Sequence, residues 1–383
     1  MLLSKGFEVE VYTGTPHGEI VGLSDKIVAA LNRFVREPDS RNVEYTTAPL
    51  CRYEHLLCDL VRPRLRLRDY LKTLGDYTLI PGSSLSLGRS DRFYRSDPSN
   101  PYHTYIEQTY GTDVVTASIH INIGIDDPEV LMRAYRLIRV EAPLYLALSA
   151  SSPFLDGRVS GSHSTRWQVF PQTPKHVPLF ESHDHFIRWT EEQLAAGTMQ
   201  NVRHLWASVR PNGDRRPYNI NRLELRICDL VGDPILLLAI AAFLEARLLQ
   251  LFQDPGLDPL QRSRLPASNR AEDLLALTAA NEAAAARTSL DAKLCHWYDG
   301  QPLGAREWIE QLYQEVAPFA RHYGFGCFLS PVKKILRQGN EAQQWLAQID
   351  RGLDPAQVVQ GAIRQMHQQE LELEGQLCPP WVA

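Results

Sequence analysis

Residues 5–14 read KGFEVEVYTG, and their alternation decides the fold. Phe7, Val9 and Val11 fall on one side of an extended chain, Glu8 and Glu10 on the other. That is the period-two pattern of a strand with one face on a core. Side chains two apart on a strand stand roughly 7 Å from each other, so two carboxylates can address one cation or two neighbouring ones. A Glu-x-Glu on a solvated strand would look the same. The pair acquires meaning only if other strands repeat its pattern.

Four other segments do. VVTASIHINIGI (114–125) sets Val115, Ala117, Ile119, Ile121 and Ile123 against Thr116, Ser118, His120, Asn122 and Gly124. LELRICD (223–229) sets Leu223, Leu225 and Ile227 against Glu224 and Arg226. NVEYTT (42–47) places Asn42, Glu44 and Thr46 together, and LWASVR (205–210) groups Trp206, Ser208 and Arg210. A wet antiparallel face also alternates, but it normally mixes lysine, threonine, serine and glutamine. Here the set is Glu8, Glu10, Glu44, His120, Asn122, Arg210, Glu224 and Arg226, without a lysine. Converging carboxylates would repel one another unless divalent cations neutralised them. Oxygen-rich donors with one imidazole suit Mg²⁺ or Mn²⁺ better than structural zinc. Two arginines on the same face suit bidentate contact with phosphate or carboxylate.

Such a face can support phosphoryl transfer, in which charge stabilisation does most of the work. The chain has no G-x-x-x-x-G-K-[ST] loop and no G-x-G-x-x-G after a strand. A nucleotide would therefore be held through its metals and a sheet face.

Composition agrees with an enzyme of this kind. With 383 residues, 44% hydrophobic and 22% charged, the chain can bury a large core. A net charge of -5 argues against a nucleic-acid surface. The apolar run 234–252 is broken by Glu245 and Arg247, with Asp233 as cap and Pro234 in the first turn, and reads as a core helix rather than a membrane span. The first residues lack a signal-peptide pattern, which predicts a cytoplasmic protein. Six scattered cysteines, with Cys51 and Cys58 too far apart on a helix to bridge, predict reduced and mostly buried thiols.

Candidate strands cover 6–12, 42–47, 114–125, 204–210 and 222–228, separated by helical patterns at 24–36, 53–73, 127–149 and 183–196. After residue 232 the pattern is almost wholly helical. The expectation is one α+β unit over 1–383, with a mixed strand and helix part (1–232) and a helical part (233–383) packed on it. Weaker candidates are the His183–His185 pair, where an exposed helix cap explains the residues better, and loop histidines His17 and His163. Ser152, Ser160 and Ser164 lack a nucleophile elbow. Asn281 and Arg287 read as helix surface.

Taken in order, KGFEVEVYTG, NVEYTTAPLCRYEHL, SIHINIG, SSPFLDGR, SVRPNGDRRPYN, LELRICDL and NEAAAARTSLDA resemble a glutamate–cysteine ligase over nearly the whole chain. The resemblance is to the cyanobacterial type of the carboxylate–amine ligase family. It implies a glutamine-synthetase-like catalytic domain, with a curved, mainly antiparallel sheet and helices on its outer face. It also implies a reaction, the joining of L-glutamate to L-cysteine with ATP as the first step of glutathione biosynthesis. Glu8 and Glu10 then match paired metal-binding acids, and Glu44, Glu224 and His120 further ligands, His120 lying near the nucleotide phosphates. Arg226 would steady the transferred phosphoryl group, Arg210 would bind phosphate or the glutamate carboxylate, and Asn122 would orient substrate. Ser162 stands where relatives often carry an aromatic residue, which leaves the amine acceptor least secure. A same-fold ligase with another acceptor, or a non-catalytic homologue, are the alternatives. Neither nucleic acid nor membrane is expected as a partner.

Overall fold

The opening segment becomes the strand around which the rest is built. In the computed structural model, which describes residues 2–377, β1 (Lys5–Gly14) has neighbours on both sides. With β2 (Phe34–Arg36), β3 (Asn42–Thr46), β4 (Thr78–Ile80), β5 (Ile119–Gly124), β6 (Val209–Asn212) and β7 (Arg222–Leu225) it forms a seven-stranded sheet. The order is β2–β3–β1–β5–β7–β6, and β4 pairs with the last residues of β1. Every pairing is antiparallel.

One face of this sheet is closed by helices. Phe7, Val9, Val11, Val43, Tyr45, Ile119, Ile121, Ile123, Leu223 and Leu225 are all buried. They join one hydrophobic cluster with helices Tyr53–Leu74, Pro128–Ser149 and Pro234–Gln253, and that cluster runs on into helices Ala305–His322 and Pro355–Leu377. Residues from before and after position 232 therefore share one core. The helix starts follow from sequence. Asp127 caps the first turn of 128–149, accepting from the N–H groups of Glu129 and Val130, and Asp233 caps 234–253 by accepting from Ile235. Both helices carry proline at the first position, where no amide donor is lost. Among the described residues, Pro234–Gln253 is the one helix long and apolar enough to cross a membrane, and 78% of its most apolar window is buried in the molecule.

Charges inside the core are closed. Glu245, in that apolar helix, accepts from the N–H of Leu3 at 2.6 Å and from Tyr53 Oη, and lies 3.0 Å from Lys5 Nζ. Arg247 makes a bidentate pair with Glu141.

Four expectations need correction. The helix expected over 24–36 ends at Ala30, because Arg33 takes a left-handed φ of 76° and the chain turns into β2. The strand over 114–125 begins at Ile119, after a 3₁₀ turn at Gly111–Val114. The strands over 204–210 and 222–228 shrink to β6 and β7, and Trp206 pairs instead with Thr173 through an isolated bridge. Cys58 is disulfide-bonded, and among the described residues Cys51, Cys295 and Cys327 are free and exposed while Cys228 is free and buried.

Candidate active site

Register explains how scattered residues meet. Residues directly opposite in an antiparallel pair project to the same face. Glu44 of β3 faces Glu10 of β1, Glu8 faces His120 of β5, Asn122 faces Glu224 of β7, and Glu224 faces Arg210 of β6. The polar row expected from sequence is thus continuous across five strands. Arg226 follows immediately after β7 on the same side.

The row divides into two halves of opposite charge. At the β6–β7 end, Glu224 is completely buried and its two oxygens are occupied. Arg210 donates to both, at 2.6 and 3.0 Å, Asn212 donates to Oε2 at 2.6 Å, and Arg226 donates to Oε1. Burial alone would raise the Glu224 carboxyl, but the charges of Arg210, Arg226 and His120 prevail and hold it well below the usual carboxylate range. At the β2–β3–β1 end the balance reverses. Burial pushes the Glu44 carboxyl well above its ordinary value, and Glu37, Glu8 and Glu10 push in the same direction. Burial with Glu10 does the same to Glu37.

His120 joins the halves. Its Nδ1 is 2.9 Å from Glu8 Oε2 and 3.6 Å from Glu224 Oε1, and its Nε2 is 3.1 Å from Ser118 Oγ, which itself donates to Glu10 at 2.7 Å. Burial and Glu224 push the Glu8 carboxyl up, yet the hydrogen bond and charge of His120 bring it below its ordinary value. Two donor sets emerge, Glu8–His120–Glu224 and Glu10–Glu44–His120, each with ligand atoms within 4.8 Å of one another. The second set, with its excess of carboxylate, suits a hard divalent cation. In the first, the Glu224 oxygens already serve as the hub of the arginine contacts.

Glu8, Glu10, Glu44, Ser118, His120, Arg210 and Arg226 line a cavity of about 570 Å³, and Glu224 holds the two arginines from beneath its lining. Beside Trp206, its walls add residues that alternation did not single out: Glu37, one residue past β2, Arg166 and Arg203, and the rings of Tyr102 and Phe170. Glu37 follows an edge strand too short to show a period, and Arg166 comes from the SGSHSTR loop. Asn122 belongs elsewhere. It donates to Glu8 Oε1 at 3.1 Å but lines a neighbouring cavity of about 440 Å³ with Thr46, Thr47, Asp126, Asp214 and Arg222. Glu8 is part of both walls.

The weaker candidates lie apart. His183 starts helix His183–Ala195, with its Nε2 on the carbonyl of Pro217, and His17 is exposed. His163 Nδ1 is 2.7 Å from Ser289 Oγ, and Asn281 exchanges hydrogen bonds with the backbone of Cys295. Ser162 is buried, with its hydroxyl on Gln168, and does not line the large cavity.

Known proteins share this family and this fold. Residues 4–372 match the model of glutamate-cysteine ligase family 2. A Sorangium cellulosum protein named "Putative glutamate--cysteine ligase 2" is 32% identical over 231 residues, which are 60% of this chain and 58% of that relative. That alignment thus spans less than two thirds of the relative's length. A Solibacter usitatus protein of the same name is 26% identical over 359 residues, 90% of this chain and 88% of its own. Among solved structures, the glutamate–cysteine ligase of Francisella tularensis in complex with AMP superposes with a TM-score of 0.75 at 12% identity, covering 97% of this chain and 89% of that one. A bifunctional glutathione synthetase from Pasteurella multocida superposes at 0.74 and 14%, covering 97% of this chain and 53% of the other. The fold is the one these ligases share.

Proposed function

This chain belongs to glutamate-cysteine ligase family 2, and from that premise we propose that it joins L-glutamate to L-cysteine at the expense of ATP. The γ-carboxylate takes the terminal phosphoryl group of ATP to give an acyl phosphate and ADP. The cysteine amine then attacks the acyl carbon and phosphate leaves, giving γ-glutamylcysteine. This is the first step of glutathione synthesis, and it runs in the cytoplasm. The whole chain, 1–383, acts as one catalytic domain, a reading supported by the core shared across residue 232.

The observation that carries the reading is a group of carboxylates and a group of arginines side by side in the lining of one cavity. A phosphoryl group in transfer needs cations on both sides. Glu10 and Glu44, with Glu37 beside them, would hold one Mg²⁺, for which Mn²⁺ can substitute, and Glu8 would hold another; the one unprotonated ring nitrogen of His120 would complete one of the two sites, and Glu224 would join only by giving up one of its present donors. Bound there, the cations neutralise the phosphate oxygens and orient the terminal phosphoryl group. Arg226 and Arg210, fixed on Glu224, present guanidinium groups to the transferred phosphate and the acyl oxygen. Arg166 and Arg203 supply positive charge for substrate carboxylates. Tyr102, Phe170 and Trp206 exclude water from the side where the amine arrives. The neighbouring cavity, reached past Glu8 and lined by Asn122, takes the nucleoside end of ATP.

The test is ADP release in a coupled assay, with mass spectrometry of the product. Release must require glutamate and cysteine together, and the product must be γ-glutamylcysteine. Equal turnover with cysteine omitted or replaced by another amine would remove the acceptor assignment and favour a same-fold ligase of different acceptor. ATP binding without any turnover would favour the non-catalytic homologue.

A further inference from the structure

Behind the arginine wall lies a carboxylate with no part in the chemistry above. Asp229, three residues after Arg226, is completely buried and bridged to Ser118. Its Oδ2 accepts the backbone N–H of Ser151 at 3.0 Å and the hydroxyl of Ser152 at 2.7 Å. Its Oδ1 accepts the hydroxyl of Ser164 at 2.9 Å. These serines belong to two loops that run side by side through a bridge between Ser152 and Ser164. One carboxylate therefore ties three stretches of chain together.

The cation paired with Asp229, among the described residues, is Arg166, whose Nη1 lies 3.7 Å from Oδ1. Arg166 reaches back to the segment that carries Asp229. Its Nη1 donates to the carbonyl of Ile227 and its Nη2 to that of Arg226, both at 3.0 Å. Its own backbone N–H donates to Ser152 Oγ at 3.2 Å. The ring faces of Trp167 and Phe170 flank the guanidinium at 5.6 Å. The loop is closed: Asp229 holds Ser152 and Ser164, these hold the start of the 165–169 helix, and Arg166 from that helix holds the backbone of Arg226. Arg166 lines the large cavity, and its Nε–H has no hydrogen-bond partner.

A buried carboxylate is a poor choice for packing alone, because an apolar group of similar size fills space at lower cost. What a charge adds is direction. It sets the orientation of one guanidinium and, through two carbonyl contacts, the path of the backbone bearing another. We propose that Asp229 is a positioning residue for the anion-binding wall, acting through Ser152, Ser164 and Arg166 to set where the Arg166 and Arg226 guanidinium groups stand in the cavity. Ser152 and Ser164, unremarkable as nucleophiles, take their role from this latch.

The kinetic consequence rests on the ligase reading above, whereas the positional consequence does not. Two readouts separate them. In ¹⁵N spectra of arginine Nε–H groups, the Arg166 signal is identified by its loss in Arg166→Lys. Ser164→Ala should shift or broaden that signal while leaving the thermal midpoint within about 4 °C of the parent. In steady-state kinetics the same variant should raise the KM for glutamate by about tenfold and change kcat by less than about threefold. Adding Ser164→Ala to Arg166→Lys should cost no more than Arg166→Lys alone, because both act through one group. An undisturbed Arg166 Nε–H in Ser164→Ala, or full additivity of the two substitutions, overturns the proposal. Asp229→Asn should exceed Ser164→Ala in both readouts; should it not fold, the serine variant and the cycle decide the matter. A parent protein that turns over neither glutamate nor cysteine defeats the ligase reading, and the spectra still decide the positioning role.

Discussion

The two faces of the sheet treat charge differently. On the helix side buried charges close on fixed opposites: Lys5 pairs with Glu245, which also accepts from Tyr53, Arg247 closes on Glu141, and Arg68 closes on Glu370 at 2.6 Å. On the cavity side, Glu8, Glu10, Glu37 and Glu44 gather with His120 as their nearest base, while the arginines are drawn to Glu224. A protein selected for stability alone would balance both faces. Closed pairs mark scaffold, and an open excess of one sign marks a place where something charged must arrive.

The comparison breaks most severely at the arginines. Arg226→Ala should lower kcat/KM for ligation by roughly 10³-fold, about 4 kcal/mol of transition-state stabilisation, with little change in urea midpoint because Arg210 still pairs with Glu224. A loss below tenfold would take Arg226 out of the site. On the other face, Glu245→Ala leaves the Lys5 ammonium buried without a counter-ion and should destabilise by about 3 kcal/mol or more. Urea unfolding reads this, and the folded fraction should keep its normal KM; altered kinetics at full folding would erase the distinction between faces.

A smaller effect sharpens it. Mg²⁺ at about a hundred times its dissociation constant should stabilise the protein by about 2.7 kcal/mol. In Glu10→Gln the increment should fall, while the metal-free variant unfolds at the same temperature as the parent or higher, since one member of a repelling group is gone. An undiminished Mg²⁺ increment would remove Glu10 from the cation site.

The smallest effect concerns Glu341, whose carboxyl accepts the N–H of Gly232 at 2.6 Å between helix 341–350 and the end of the site-bearing segment. Burial, with Asp233 adding to it, lifts this carboxyl from 4.5 to about 7. The folded chain then retains a proton that the unfolded chain releases, so stability is highest below pH 4.5 as far as this group is concerned. It falls as pH rises from 4.5 through about 7, by about 3 kcal/mol. Glu341→Gln should flatten that part of the stability–pH curve measured by urea titration. A curve of unchanged slope would show that the group titrates normally.

Much of this was legible because strand alternation and helix caps are local. Phe7 to Val11 and Ile119 to Ile123 announced their inward faces, and Asp127 and Asp233 announced their helices. The polar row followed from the same alternation. Where the structure departs, the deciding contact is distant in sequence. The three residues of β2 are strand only because β3 pairs with them, so the acid at position 37 carried no pattern. Trp206 alternates correctly with Arg210 but its backbone pairs with Thr173 rather than with a neighbouring strand, and the Ser208 carbonyl accepts from Arg226 and Ile227 just past the end of β7. Arg166 was hidden in a serine-rich loop, and nothing short of the fold brings it beneath Arg226.

The position of β1 constrains how such a protein can vary. With β3 on one side and β5 on the other, an inserted or deleted residue between Lys5 and Glu10 cannot bulge harmlessly at an edge. It would turn Glu8 and Glu10 into the hydrocarbon interior and Val9 out toward solvent, a reversal of every side chain on the strand. Lys5, anchored to Glu245, prevents the strand from sliding to compensate. Substitutions along KGFEVEVYTG can be graded in severity, but a frame shift of one position within it is all or nothing. The spacing between lysine and glutamates is thus a ruler, and its length is less negotiable than any letter printed on it.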